Sequence, residues 1–246
     1  MPQESDQRTT GVRSATLIAA LFVAALILMI GLIASQRASS TSAEGSGTVV
    51  AEEPSGQAEE PFDLSRRIAE DPLAMGKVDA PVVLVEYADY RCPFCGVFSR
   101  ETLPALVDQY VASGELRIEW RDLPVFGAES LSAAVAGRAA GEQDKFWEFN
   151  KAVFAAAPDR GHISLPREEL IRLAEEVGVA DIAAFTADLD SEELIQAVQA
   201  DAEEAAALGA TGTPLFLVND IPISGAQPVE VFEQAIETVL AETSPQ

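Results

Sequence analysis

The chain has 246 residues, 48% of them hydrophobic and 23% charged, which is material for one sizeable domain with a buried core. Its 16 basic residues stand against 40 acidic ones, a formal net charge of −24. Such a surface repels phosphate backbones, so nucleic-acid binding is excluded as an expectation and the excess acid reads as a solvated face.

Residues 1–14 form a short polar leader containing Arg8 and Arg13, and the run "ATLIAALFVAALILMIGLIA" from Ala15 to Ala34 is almost wholly apolar. About 20 such residues in a helix cross a bilayer core of roughly 30 Å. A cleaved signal peptide has a shorter apolar region, about 7–15 residues, so a retained anchor over residues 15–36 is the favoured reading. Whether the segment is cleaved stays open. Arg8 and Arg13 precede the span and only Arg37 follows it closely. That bias places the N-terminus in the cytoplasm and the C-terminal domain on the extracytoplasmic side of a cell membrane crossed once. Disulfides persist in such a compartment. Residues 37–61, rich in Ser, Gly, Glu and Ala without amphipathic period, read as a disordered tether.

The folded domain is expected over residues 62–246. "APVVLVEYADY" is a short, β-branched apolar run after a proline, the signature of a buried strand. A helix should follow from Pro93 to about Ala112, with a bend at Pro104. "ELRIEWRDLPV" alternates as a second strand. From about residue 128 to 208 the chain reads as a block of helices divided by Gly, Pro and Asp signals. The last helix of that block is expected to start at Asp190, because Glu193 then takes the third helical position, the spacing of a capping box; Ser191 is the weaker candidate. "TGTPLFLVND" and "IPISG" read as a hairpin turning at Asn219 and Asp220, and a closing helix runs from Pro228 to about Ala241.

Both cysteines of the chain lie in "DYRCPFCG". Pro93 fits the first helical position, so Cys92 sits just before a helix whose backbone donors and dipole favour its thiolate. Cys95 lies one turn deeper. An exposed, activated first thiol and a sheltered second one make a device for thiol–disulfide exchange. A structural bridge across two residues closes too small a loop to constrain the unfolded chain. Metal binding needs more ligands than two cysteines and the lone His162 provide within one chain. No metal or external cofactor is expected; the redox centre is the Cys92–Cys95 pair itself.

Two further residues invite a redox role. Glu86 interrupts "VVLVEY" where burial in a parallel sheet calls for an aliphatic residue. A buried acid there would exchange protons with Cys95, whereas an edge-strand glutamate would simply reach solvent. Pro214 opens a strand, as an edge proline or as a cis-proline beside a peptide-binding backbone.

Taken together, "EYADYRCPFC", "EQDKFWEFNKAVF" and "LGATGTPLFLVND" with its hairpin resemble the thioredoxin-like disulfide oxidoreductases of the DsbA family, over roughly Asp71 to Leu240. The resemblance implies an α/β thioredoxin-like fold with an inserted helical domain. It implies Cys92 as nucleophile, Cys95 as resolving thiol, Glu86 as the buried acid, and Pro214 as a cis-proline preceded by Thr213. Substrate would lie against Thr213, Pro214, Pro93 and Phe94. Phenylalanines and Trp147 of the insertion read as packing residues. The best-known members carry Pro-His between the cysteines; Phe94 here cannot stabilise a thiolate by charge, which implies a weaker oxidant. The polar tether offers no dimerisation domain, so a monomer is expected and an isomerase is disfavoured. The leading function is donation of the Cys92–Cys95 disulfide to exported proteins with thiols, followed by reoxidation through a membrane redox partner. A membrane-tethered reductase, and a chaperone-like peptide-binding module with dispensable cysteines, are the rivals.

Overall fold

A computed structural model describes residues 63–243. The apolar run and the tether read from the sequence lie outside the described residues, and among the described residues no helix is long and apolar enough to cross a membrane.

Five strands form one sheet in the order β1-β3-β2-β4-β5. They are β1 (Ala74–Met75), β2 (Val82–Ala88), β3 (Leu116–Asp122), β4 (Leu215–Val218) and β5 (Ile221–Ser224). The central β2 runs parallel to β3 and antiparallel to β4, with Glu86 opposite Trp120 on one side and Phe216 on the other. All seven residues of β2 are buried, as its β-branched run requires when both faces are covered. β4 and β5 form the expected hairpin, turning at Asn219, whose φ of 51° is one that asparagine tolerates. The edge strand β1, antiparallel to β3, was not anticipated.

The helix entered at Pro93 is continuous over residues 93–111 but uneven. α1 (Pro93–Val97) and α2 (Leu103–Leu106) alternate with π-helical stretches at Phe98–Thr102 and Val107–Val111. Pro104 has no N–H to donate and would crowd the carbonyl four residues earlier; the wider turn ahead of it, where the Leu103 N–H reaches Phe98, opens that spacing. The expected bend is thus taken up by a change of helical register.

The insertion comprises α3 (Ala128–Gly141), α4 (Phe146–Ala156), α5 (Arg167–Glu176), α6 (Ile182–Asp188) and α7 (Glu192–Ala207); α8 (Val229–Thr243) closes the fold. The cap of α7 corrects the sequence reading. Ser191, not Asp190, is the N-cap, and its hydroxyl accepts the Leu194 N–H at 3.4 Å. The Asp190 carboxylate is turned to Arg167, which it binds through both oxygens at 3.1 and 3.0 Å, so it is not free to cap.

Side chains alternate across β2. Val82 and Leu84 pack with Phe98, Leu106, Phe216, Phe232 and Ile236, beneath the helix entered at Pro93 and α8. Val83, Val85 and Tyr87 face the other way, against Leu217 and Ala205. Phe98, Phe216 and Phe232 meet with ring centroids 4.4 to 5.2 Å apart, each such pair contributing about 0.5–1.5 kcal/mol beyond area burial. They fix the helix that carries the cysteines to β4, the strand that follows Pro214. Phe146, Phe149 and Phe154 of the insertion do pack, in a cluster that also holds Tyr90, Trp120, Cys92 and Cys95. The close approach of α3 needs Gly137, where a Cβ would fall 2.4 Å from the Tyr90 hydroxyl.

Candidate active site

Cys92 occupies the N-cap of α1 in extended backbone, with Pro93 as the first helical residue. Its amide donates to the Asp89 carbonyl at 3.0 Å, and its own carbonyl accepts from Gly96 at 3.2 Å. Both thiols are free. The Thr213–Pro214 peptide is cis, as the resemblance implied. The Cys92 sulfur lies 3.3 Å from the Thr213 carbonyl oxygen. This contact corrects one expectation: Cys92 is only 2% exposed, because the loop before β4 roofs it. Cys95 is fully buried, while Phe94 projects outward at 62% exposure. A cleft of about 310 Å³ runs along the same loop, lined by Gly209, Thr211, Thr213, Pro214, Leu215 and Ser224 among others.

The two thiols differ in chemistry as well as position. A hydrogen bond from the Cys95 thiol pulls Cys92 down to about 6; burial opposes this, and the Thr213 side chain and the backbone N–H groups of Cys95 and Phe94 assist it. Cys95 goes the other way, well above its ordinary value, through burial and then through Cys92. One sulfur is therefore a thiolate at neutral pH and its neighbour a thiol.

Glu86 lies in the middle strand at 1% exposure, not at an edge reaching solvent. The two-residue period of β2 puts it on the face of Leu84 and Ala88. Ala88 packs in the cluster that contains both cysteines. Burial raises the Glu86 carboxyl to about 8, and its charge is in turn one of the influences raising Cys95.

Several residues that hold the site had no motif to announce them. Asp89 accepts the Arg91 N–H at 2.7 Å with one oxygen, and the Val125 and Phe126 N–H groups at 2.7 and 3.1 Å with the other. Arg91 donates to the Phe126 and Ile163 carbonyls at 2.7 and 2.9 Å. The loop before Cys92 is thus stitched to both ends of a stretch that includes α3 and α4. The only local signal was Asp89 two residues before Arg91, the spacing of an Asx turn. Among the described residues no group of three or more His, Cys, Asp and Glu side chains is placed to hold a metal.

A family model described as Thioredoxin matches residues 69–238. The chain is 31% identical over 149 residues to the "Probable disulfide bond formation protein D" of Bacillus anthracis, covering 59% of this chain and 69% of that protein. It is 27% identical over 168 residues to the "Disulfide bond formation protein D" of Bacillus subtilis (strain 168), covering 68% and 76%. The crystal structure of oxidised BdbD from Bacillus subtilis superposes with a TM-score of 0.65 at 27% identity, over 70% of this chain and 94% of that one.

Proposed function

The chain belongs to the thioredoxin-like disulfide oxidoreductases of the DsbA and BdbD type, and from that premise we propose that it donates the Cys92–Cys95 disulfide to exported proteins. The observation that carries the direction is the asymmetry of the two thiols. A substrate thiolate attacks Cys92, the Cys92–Cys95 bond breaks, and the electron pair leaves on Cys95, which takes up a proton. A second substrate thiolate then attacks the substrate sulfur of the mixed disulfide, and Cys92 departs as a thiolate. Cys92 is held near 6, well below an ordinary thiol; a low-pKa thiolate is the better leaving group, which drives the second step toward oxidised substrate.

In this reading Glu86 is the proton donor to departing Cys95, since burial keeps its carboxyl protonated up to about pH 8. Thr213 and Pro214, with Pro93 and the exposed Phe94, form the surface against which an extended substrate lies, beside the cleft of about 310 Å³. Two electrons remain on the protein after each turnover, so an oxidant must accept them; a membrane redox partner suits an anchor over residues 15–36 that holds the domain on the extracytoplasmic side. The protein acts as a monomer in this scheme.

Equilibration of the Cys92/Cys95 pair in glutathione buffers tests the direction. A reduction potential of roughly −120 to −180 mV supports disulfide donation; one near roughly −270 mV, as in thioredoxin, would replace it with the reductase reading.

A further inference from the structure

We infer that His162, the one histidine of the chain, is a general base that deprotonates the incoming substrate thiol. The inference rests on the disulfide-exchange reading above and adds a catalytic group to it. His162 lies in the loop between α4 and α5 and is exposed to solvent. Its Nδ1 sits 2.8 Å from the carbonyl oxygen of Arg91, the residue immediately before the nucleophile. A carbonyl only accepts, so Nδ1 carries a proton and donates it. In the neutral ring this fixes the tautomer and leaves the lone pair on Nε2.

The ring is also held in place. It packs on Phe126 with centroids 4.2 Å apart, and the Phe126 N–H and carbonyl are bound by Asp89 and Arg91 at 3.1 and 2.7 Å. The next residue, Ile163, gives its carbonyl to the same arginine at 2.9 Å. A purely solvated side chain has no use for three anchors converging on the peptide that leads into Cys92. They give a base the fixed position that proton transfer requires. The charged groups around the ring are themselves engaged. Arg91 faces Glu129 at 3.6 Å, Glu129 also accepts the Leu165 N–H at 2.8 Å, and Asp89 is bound by three backbone N–H groups. On the loop itself Asp159 pairs with Arg100 at 3.2 Å, and Arg160 is two residues before the ring.

The step balances without a further reagent. The substrate thiol gives its proton to Nε2; the thiolate so formed attacks the Cys92 sulfur; the Cys92–Cys95 bond breaks as the mixed disulfide forms, and its electron pair leaves on Cys95. The imidazolium then releases its proton to water. Phe94, standing between the cysteines, has no proton to trade, so this task falls to a residue from the insertion.

The test compares two thiols reacting with the oxidised full chain at pH 7 under rapid mixing. One is a cysteine-containing peptide, whose thiol is mostly protonated at that pH; the other is 5-thio-2-nitrobenzoate, which is ionised. His162→Gln retains an amide donor for the Arg91 carbonyl and loses the base. The ratio of the peptide rate to the ionised-thiol rate should fall by about tenfold or more in the variant. An unchanged ratio overturns the inference, whatever happens to the individual rates, because a merely structural role slows both thiols alike. Failure of the wild-type protein to oxidise either thiol would instead remove the disulfide-exchange reading, and the inference with it.

Discussion

The Cys92 sulfur rests 3.3 Å from the carbonyl oxygen of Thr213, a residue 121 positions later in the chain. That contact joins the start of the helix that carries the cysteines to the loop before β4, and it explains how Cys92 can be buried yet lie beside the cleft that Thr213 and Pro214 line. The anion it becomes is stabilised mostly from below, by the Cys95 thiol.

The Cys92 thiolate absorbance should therefore titrate with a midpoint near pH 6. Hydrogen bonds to charged groups are worth about 1.5–3 kcal/mol, so Cys95→Ala should move that midpoint up by about one to two pH units. Ultraviolet titration of the reduced proteins reads both values. A Cys95→Ala midpoint that stayed near 6 would move the stabilisation to Thr213 and the backbone donors.

Glu86 gives the fold an opposite pH dependence. Its carboxyl is raised from 4.5 to about 8 in the folded protein. Between those values the native state holds a proton that the unfolded chain releases, so stability is full below about pH 4.5 and falls as pH rises through 8, by roughly 4–5 kcal/mol in all. Cys92 is depressed on folding; its contribution is present above the ordinary thiol range and disappears as pH falls through 6. The two slopes oppose each other between pH 6 and 8, so the Glu86 term is best read in a Cys92→Ser background. There, Glu86→Gln should raise stability to urea by a few kcal/mol at pH 8 and by about 1 kcal/mol or less at pH 5. Equal effects at both pH values would mean that Glu86 is ionised in the native state.

β3 carries a second buried carboxylate with the reverse sign. Glu119 accepts the Arg66 and Arg67 N–H groups, each at 2.9 Å, and binds Arg117 and Arg121, each at 2.8 Å. Against the cost of burial, these donors hold it down at about 2. Its contribution is present above pH 4.5 and disappears only as pH falls through 2. Removing one partner from such a set leaves charge buried and unpaired, so Glu119→Gln should lose about 3–5 kcal/mol at pH 7 in denaturant unfolding. A loss below 1 kcal/mol would place the arginines in water.

Much of this was legible in the sequence, and what was not has a physical reason. The run "VVLVEY", the proline at the helix start and the turn at Asn219 act locally, so pattern alone located β2, the catalytic helix and the hairpin. The two residues of β1 are too few to carry a period. "LRIEWRD" alternates as a strand, yet every residue of β3 is buried, because its charges are paired: Glu119 with Arg117 and Arg121, Arg121 also with Glu204, and Asp122 with Arg138. The anchors of the active-site loop, Asp89 to Val125 and Arg91 to Ile163, join residues 36 and 72 positions apart. No local rule reaches that far. The exposure of Cys92 was misjudged for the same reason, since its roof is Thr213.

Phe94 offers the most direct handle on the redox potential. At 62% exposure it makes little contribution to the core, so Phe94→His should change stability by no more than about 0.5 kcal/mol. A protonated imidazole there would favour the Cys92 thiolate and hence the reduced form, making the disulfide more oxidising. A surface charge interaction of about 0.5–1 kcal/mol corresponds to roughly 10–20 mV for a two-electron couple. The shift must follow the charge: it should be present at pH 6, where the new imidazole is largely protonated, and shrink at pH 8, where it is neutral. Glutathione equilibria at the two pH values, wild type beside variant, measure it. A shift of equal size at both would assign the effect to loss of the phenyl ring and not to charge.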